Sequence, residues 1–389
     1  MNINYRMTSL YKSPSHSFPL SSIKKYNYFK NIKRFNDYKV IDEFLSKVKL
    51  NKDTCLKVEG VTSYLLGDSV LLYKKIGTES VYGVIYKCKN VNTKYKNIPF
   101  FTIKIQLNTN ALKRETGIFV KLSRYGLENK IPNLPILYKV IKCSEEIPRV
   151  LIKKADKALE GGYTMLLNEL AAGDLRTFFS KYSKVIDDRL WRNIYAQVFI
   201  SLAILHSLGI KHNDAHDGNF LYHKINPGGC FHYEIDGTDF YIENLGFLWT
   251  SWDYGLISKL ETHGDYIHDY MLTNLCMRKN DYYKQTYKFE QHDFYYEHQW
   301  GYLSRSVEVP SSIEKLQNKL WNLLGGYNKY NDIYIIKKKK LSEPLFLKEI
   351  LNKGLFFSKT PIGDVLSSVK LNFPDFRSNP FYDNSNSFL

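Results

Sequence analysis

Apolar residues recur along the chain with two different periods. Over residues 38–50 (YKVIDEFLSKVKL), Val40, Ile41, Phe44, Leu45 and Val48 fall at three- and four-residue spacing, which predicts a helix with one apolar face. From about residue 61 the pattern shortens to runs rich in β-branched and aromatic residues: 70–73, 84–86 and 100–105. A lysine-rich, turn-rich stretch, 87–99, separates the second and third, and further apolar runs follow at 134–141 and 164–170. From Asp187 a helical pattern runs to about Leu208, and Gly209 is placed to end it. Between 222 and 248, Pro227-Gly228-Gly229 and FHYEIDGTDFYIENL predict a hairpin turning at Asp236-Gly237. Strands first and helices later predict an α+β protein. No internal repeat is visible, and the region towards the C-terminus carries no readable motif.

The chain of 389 residues suffices for two compact parts, and 44% hydrophobic residues exclude wholesale disorder. Five scattered cysteines form no CxxC pair, so neither a disulfide scaffold nor a cysteine-rich zinc module is expected, and a reducing compartment fits better. No apolar run is long enough to cross a bilayer. The net charge of +16 invites a nucleic-acid reading, but 44 of the 55 basic residues are lysine. Phosphate and base recognition favour arginine, and abundant Lys, Tyr and Phe also follow from A/T-rich codons. Residues 1–36 hold seven basic residues and no acidic one; a flexible tail is expected, with an organelle-targeting segment as the alternative and no secretory signal.

The chemistry concentrates in His212-Asn213-Asp214-Ala215-His216-Asp217-Gly218-Asn219, just after the long helix, with Asp253-Tyr254-Gly255 downstream. Asp and Asn five apart can serve as a base and a metal-binding amide. This spacing resembles the protein-kinase-like phosphotransferase superfamily, with its HRDxxxxN and DFG loops. Upstream, Ile76–Lys87 resembles a glycine-rich phosphate loop lacking its middle glycine, and Phe101–Ile105 resembles the strand bearing the phosphate-anchoring lysine. Glu115, in LKRETGIFVKL, could pair with that lysine; LNELAAGDL (167–175) resembles the hinge; LHSLGIKHND resembles the approach to the catalytic loop. The similarity covers about 64–325.

The resemblance implies a bilobal fold: a basic N-terminal extension (1–60), a small β-rich lobe (61–170), a larger helical lobe (171–375) with an insert near 222–248, and a polar tail (376–389). It implies ATP and Mg2+. Gly77, Gly83, Ile85, Lys104, Glu115 and Glu169 would hold the nucleotide, Asn219 and Asp253 the metal, and Asp214 would accept the hydroxyl proton. His216 stands where protein kinases carry a lysine near the transferred phosphate, and its charge changes near neutral pH. Asn213 replaces the arginine that pairs with a phosphorylated activation loop. Asp293 would be the aspartate that supports the catalytic loop, and the insert would project near the site's mouth.

The preferred expectation is a divergent Ser/Thr protein kinase, of the kind carried by large DNA viruses or A/T-rich protists, acting as a cytoplasmic monomer on protein substrates. Two alternatives remain open. HNDAHDGN matches the HGDLHPGN loop of small-molecule phosphotransferases and of the coenzyme-Q-pathway kinases at five of eight positions, against three for HRDLKPEN. The missing glycine allows a scaffold without catalysis. Nine of ten histidines lie between His206 and His298, and His212 and His216 are four apart, but Asp214 and Asn219 already account for that segment and no HExxH or cysteine partner accompanies it. The charge excess falls in residues 1–36, 87–104 and 337–340, which leaves a near-neutral body and disfavours nucleic acid as its partner.

Overall fold

The computed structural model describes residues 33–50, 55–59, 63–77, 83–146, 162–182, 186–260, 265–277, 285–289, 295–298, 309–329, 333–336 and 342–373. The architecture is mixed α+β. Helix α1 (Lys33–Lys47) precedes strands β1 (Leu56–Glu59), β2 (Ser63–Leu66), β3 (Val70–Ile76), β4 (Gly83–Asn90) and β5 (Phe101–Leu107). Helix α2 (Asn110–Glu128), β6 (Leu137–Cys143) and β7 (Tyr163–Glu169) follow. The seven strands form one antiparallel sheet in the order β1-β2-β3-β4-β5-β7-β6. The five apolar runs of the sequence correspond to β3, β4, β5, β6 and β7. The hairpin β1–β2 was not expected.

The second half is built around helix α4 (Asp188–Ser207), which follows β8 (Gly173–Asp174) and α3 (Leu175–Tyr182). Asp187 caps α4 by accepting the Leu190 N–H at 2.8 Å, and Gly209 (φ +70°) ends it with its N–H on the His206 carbonyl. Seventeen of its residues are buried, so it is a core helix packed on every side. Next come β9 (Ile210–Lys211), a 3-10 turn (Asp217–Asn219), β10 (Phe220–Lys224), β11 (Cys230–Ile235), β12 (Thr238–Glu243), β13 (Phe247–Ser251), β14 (Ser258–Lys259) and α5 (Tyr266–Cys276). Then follow β15 (Gln285–Phe289), β16 (Tyr295–His298), α6 (Ser311–Leu323), β17 (Gly326–Lys329), β18 (Ile333–Ile336), α7 (Glu343–Asn352) and β19 (Val365–Leu371). No helix among the described residues is long and apolar enough to cross a membrane.

Four expectations change. The segment 1–60 is not simply an extension: α1 packs on β6, with Ile41, Phe44 and Leu45 buried and only Val40 of the expected face turned out at 43% exposure. Residues 1–32 lie outside the described residues. Arg34, counted above with the basic tail, is 6% exposed. Its Nε donates to Glu169 Oε2 at 2.8 Å and its Nη2 to the Leu134 carbonyl at 2.8 Å; further bonds reach Glu169 Oε1 and the Pro132 carbonyl.

The insert is the expected hairpin. Ile235 pairs with Thr238, and Asp236 (φ +48°) and Gly237 (φ +67°) make the two-residue turn, both in the left-handed region that a type I′ turn demands. It does not stand free. β11 also pairs in parallel with β19, β12 packs on α4, and the Tyr233 hydroxyl reaches Asn133 Oδ1. The C-terminal segment that carried no motif thus serves as the third strand of this sheet.

The cysteine expectation also changes. Cys55 and Cys143, 88 residues apart, are joined in a disulfide that ties the start of β1 to the end of β6, while Cys88, Cys230 and Cys276 are free and buried.

Candidate functional site

β5 alternates two faces, as a strand must. Phe101, Ile103 and Ile105 are fully buried, while Thr102, Lys104 and Gln106 point to the other side. Helix α2 meets that side. Thr109 caps it by accepting the Leu112 N–H, which aims Glu115 and Thr116 at the strand. Gln106 Nε2 donates to Thr116 Oγ1 at 3.0 Å and Lys104 Nζ to Glu115 Oε1 at 2.5 Å. Glu115 is 4% exposed and is therefore not a surface helix residue. Asp253 Oδ1 lies 3.8 Å from the same ammonium and is 47% exposed. Burial works against the charge of Lys104, but Glu115 and Asp253 outweigh it and raise its pKa above the ordinary lysine value. Lys104 is thus a fixed cation with one buried partner and one partner open to solvent.

A second cluster forms below α4. Asn219 Nδ2 donates to the Asp214 carbonyl at 2.9 Å and to Asp214 Oδ2 at 3.0 Å. This orients the carboxylate and leaves Asn219 Oδ1 as the amide oxygen able to face a cation. His216 Nδ1 accepts the Gly218 N–H at 2.9 Å, so the neutral ring carries its proton on Nε2, 3.6 Å from Asp214 Oδ2. A Cβ on Gly218 would come within 2.8 Å of His216 Cε1, so a larger residue there would displace the ring. Asp217 is held by Arg176 of α3 through Nε at 3.2 Å and Nη2 at 2.8 Å.

Backbone bonds join the clusters. The Trp252 N–H donates to the Asn219 carbonyl at 2.8 Å, and His212 Nε2 donates to the Trp252 carbonyl at 2.8 Å. Phe119, one helical turn after Glu115, meets Trp252 edge-on at 5.2 Å and Tyr254 at 5.9 Å, so α2 and the Asp253 loop are packed together. Asp253 (φ +60°) and Asn213 (φ +64°) adopt the left-handed conformation that Asp and Asn tolerate better than most residues. Asn213 Nδ2 donates to the Leu256 carbonyl at 2.7 Å and to Ser258 Oγ at 2.9 Å. A neutral amide therefore ties the loop to the segment after Asp253, with no phosphate group needed.

Of the remaining expected residues, Ile85 lies opposite both Ile76 and Lys104 in the sheet, on the lysine's face. Gly77 (φ +68°) has open space around it, whereas a Cβ on Gly83 would meet the Ile105 carbonyl at 2.7 Å. The five residues between them lie outside the described residues. Glu169 is a correction. Its carboxylate is sealed by Arg34 and accepts the Ile136 N–H at 2.8 Å, so the side chain is not offered to a ligand. Burial alone would raise its pKa, but Arg34 holds it below the usual glutamate range.

The support of the Asp214 loop comes from α5. The expected support, Asp293, lies outside the described residues; among the described residues, Asp269 holds the loop. Asp269 Oδ2 accepts the His212 N–H at 2.6 Å and Oδ1 the Asn213 N–H at 2.8 Å. His206 sits behind, with Nε2 3.0 Å from Asp269 Oδ2 and Nδ1 2.7 Å from Glu343 Oε1. Burial would strip His206 of its proton, but the two carboxylates raise its pKa to about 9. The imidazolium in turn holds Asp269 well below the ordinary aspartate value. An aspartate amid YIHDYMLTNLC was the available signal, because a charge in an apolar helix needs a buried partner.

The histidine-rich stretch assembles no group of metal ligands among the described residues. The one such group is Cys55, Cys143 and Glu145, whose cysteines are already bonded to each other. No protein-family model matches the chain, and no curated protein matches it.

Proposed function

We propose that the chain is a divergent, bilobal protein-kinase-like phosphotransferase that moves the γ-phosphate of ATP to a hydroxyl, with serine or threonine of proteins as the preferred acceptors. One observation carries this reading. The cation-carboxylate set Lys104, Glu115 and Asp253 and the set Asp214, Asn219 and His216 are tied together through the Trp252–Asn219 backbone bond. Six such residues, from four separated parts of the chain, have no packing reason to converge.

Lys104 holds the non-transferred phosphates, and Glu115 fixes the ammonium for that task. Asp253 and Asn219 supply hard oxygen donors that suit Mg2+, and the exposure of Asp253 leaves room for it. Bound there, the ion would neutralise phosphate charge. Asp214, oriented by Asn219, accepts the hydroxyl proton as the acceptor oxygen bonds to the γ-phosphorus and the bond to the bridging β–γ oxygen breaks. Positioning and electrostatics provide the rest of the acceleration.

The test is transfer from γ-labelled ATP to a mixed protein substrate. Asp214→Asn should lower the rate by at least about a hundredfold while melting stays unchanged. Equal transfer by the variant and the wild type would overturn the reading. The paired His216 and Gly218 favour a second reading, a small-molecule kinase, because that turn belongs to the HGDLHPGN spelling. ATP turnover with hydroxylated metabolites and none with protein would select it.

A further inference from the structure

The sheet face that carries Lys104 and Ile85 continues outward past both. Along β4, Lys87 and Lys89 follow Ile85 at two-residue spacing and so share its face. Across the ladder, Lys74 lies opposite Lys87 and Leu71 opposite Lys89, with Tyr73 bulged between them. Phe100 closes the row just before β5. Tyr73 and Phe100 are large rings left 54% and 45% exposed, with centroids 6.1 Å apart. Lys87 Nζ sits 4.0 Å from the Phe100 centroid and Lys89 Nζ 4.7 Å from that of Tyr73. The rings thus hold two ammonium groups in place at a surface where lysines ordinarily sample many positions. Neither lysine is paired with a carboxylate among the described residues, and the sequence has no Asp or Glu from Ser80 to Arg114.

We propose that this outer end of the Lys104 face docks an acidic polypeptide segment, its carboxylates on Lys87 and Lys89 and its apolar side chains on Tyr73 and Phe100. Exposed aromatic residues beside fixed charge are the composition of a binding surface rather than of a solvated sheet. Two observations favour a polypeptide over a nucleic acid. The ammonium groups cap ring faces on which a base would stack. No arginine lies between residues 70 and 107, so the bidentate fork that grips phosphate is absent. The proposal does not depend on phosphoryl transfer. If the chain is a protein kinase, the surface selects substrates with an acidic segment away from the acceptor hydroxyl.

Fluorescence anisotropy with the full chain tests it. The probes are a labelled dodecapeptide of glutamate and tyrosine, its lysine-tyrosine counterpart and a short oligothymidylate. The acidic peptide should bind most tightly, and more weakly as salt rises. Lys87→Glu/Lys89→Glu should weaken it by about tenfold or more, and Tyr73→Ala/Phe100→Ala less. Lys353→Glu, distant on the C-terminal side of α7, should leave it unchanged. Lys87→Gln/Lys89→Gln repeats the measurement without charge reversal should the first variant misfold. Acidic peptide binding no tighter than the basic one, or surviving both lysine variants, would overturn the proposal. So would an oligothymidylate that binds more tightly and is itself released by them.

Discussion

His206 and His223 are both buried beside carboxylates, yet their pKa values move in opposite directions. His206 faces Asp269 and Glu343, and its pKa rises to about 9. His223 Nε2 lies 3.6 Å from Glu169 Oε1, and its pKa falls to about 4. Burial disfavours the imidazolium in both places, so burial does not separate them. Glu169 already belongs to Arg34, which leaves His223 too little negative charge to offset desolvation. Asp269 and Glu343 are paired with no arginine among the described residues, and although His268 Nδ1 also lies 3.5 Å from Asp269 Oδ1, together they outweigh burial. The state of a buried histidine is set by the carboxylate charge left unneutralised around it. The two networks also have different duties. One holds the backbone of the Asp214 loop; the other docks α1 against the end of β7.

The largest expected effect is at Asp269. Asp269→Ala removes the acceptor of two loop N–H groups and leaves His206 with Glu343 as its one remaining carboxylate, at a cost on the order of 5 kcal/mol. Urea unfolding measures it, and a loss below about 1 kcal/mol would mean the loop needs no anchor. Arg34→Met comes next, at about 3–4 kcal/mol, because it leaves Glu169 buried and unpaired. It also tests the comparison directly. With Arg34 gone, the His223 pKa should climb from about 4 towards or past its ordinary value in an NMR titration. A His223 that stays low would break the argument. Arg34→Met/Glu169→Met should recover most of the stability.

The pH dependence is somewhat smaller. His206 is raised in the folded state, so its contribution is complete below the unfolded value of 6.5 and is lost as pH rises through about 9. His223 is lowered, so the unfolded chain takes up the proton first and stability falls as pH drops from 6.5 through about 4. Each limb amounts to about 3 kcal/mol. Urea midpoints across pH should therefore be highest near neutrality, and Glu343→Gln should shift the alkaline limb to lower pH. The smallest effect is a control outside both networks. Gly237→Ala strains the hairpin turn at φ +67° by about 1 kcal/mol and leaves both histidines as they were.

Much of the site was readable because its members lie close in sequence or on regular elements. Asp214 and Asn219 belong to one short loop, and strand alternation singles out Lys104. The Asp236-Gly237 turn was equally plain, since its left-handed dihedrals demand those residue types. Asp269 was not legible as a support of the loop, because the burial that marks it out arises only when α5 packs against the long helix. The likeness of 167–175 to a hinge suggests a ligand role for Glu169, and nothing local reveals that its partner, Arg34, lies 135 residues away in a segment that reads as a solvated tail.

Local pattern alone determined the strand-rich first half, the core helix α4 with its cap and its terminating glycine, and the polar loop after it. Periodicity, caps and turns act over a few residues, so they are written where they act. Tertiary structure decided which charges are internal, which cysteines meet and which distant strand completes the insert's sheet. Those outcomes depend on desolvation and on partners brought together from 88 to 136 positions away, and neither leaves a local trace.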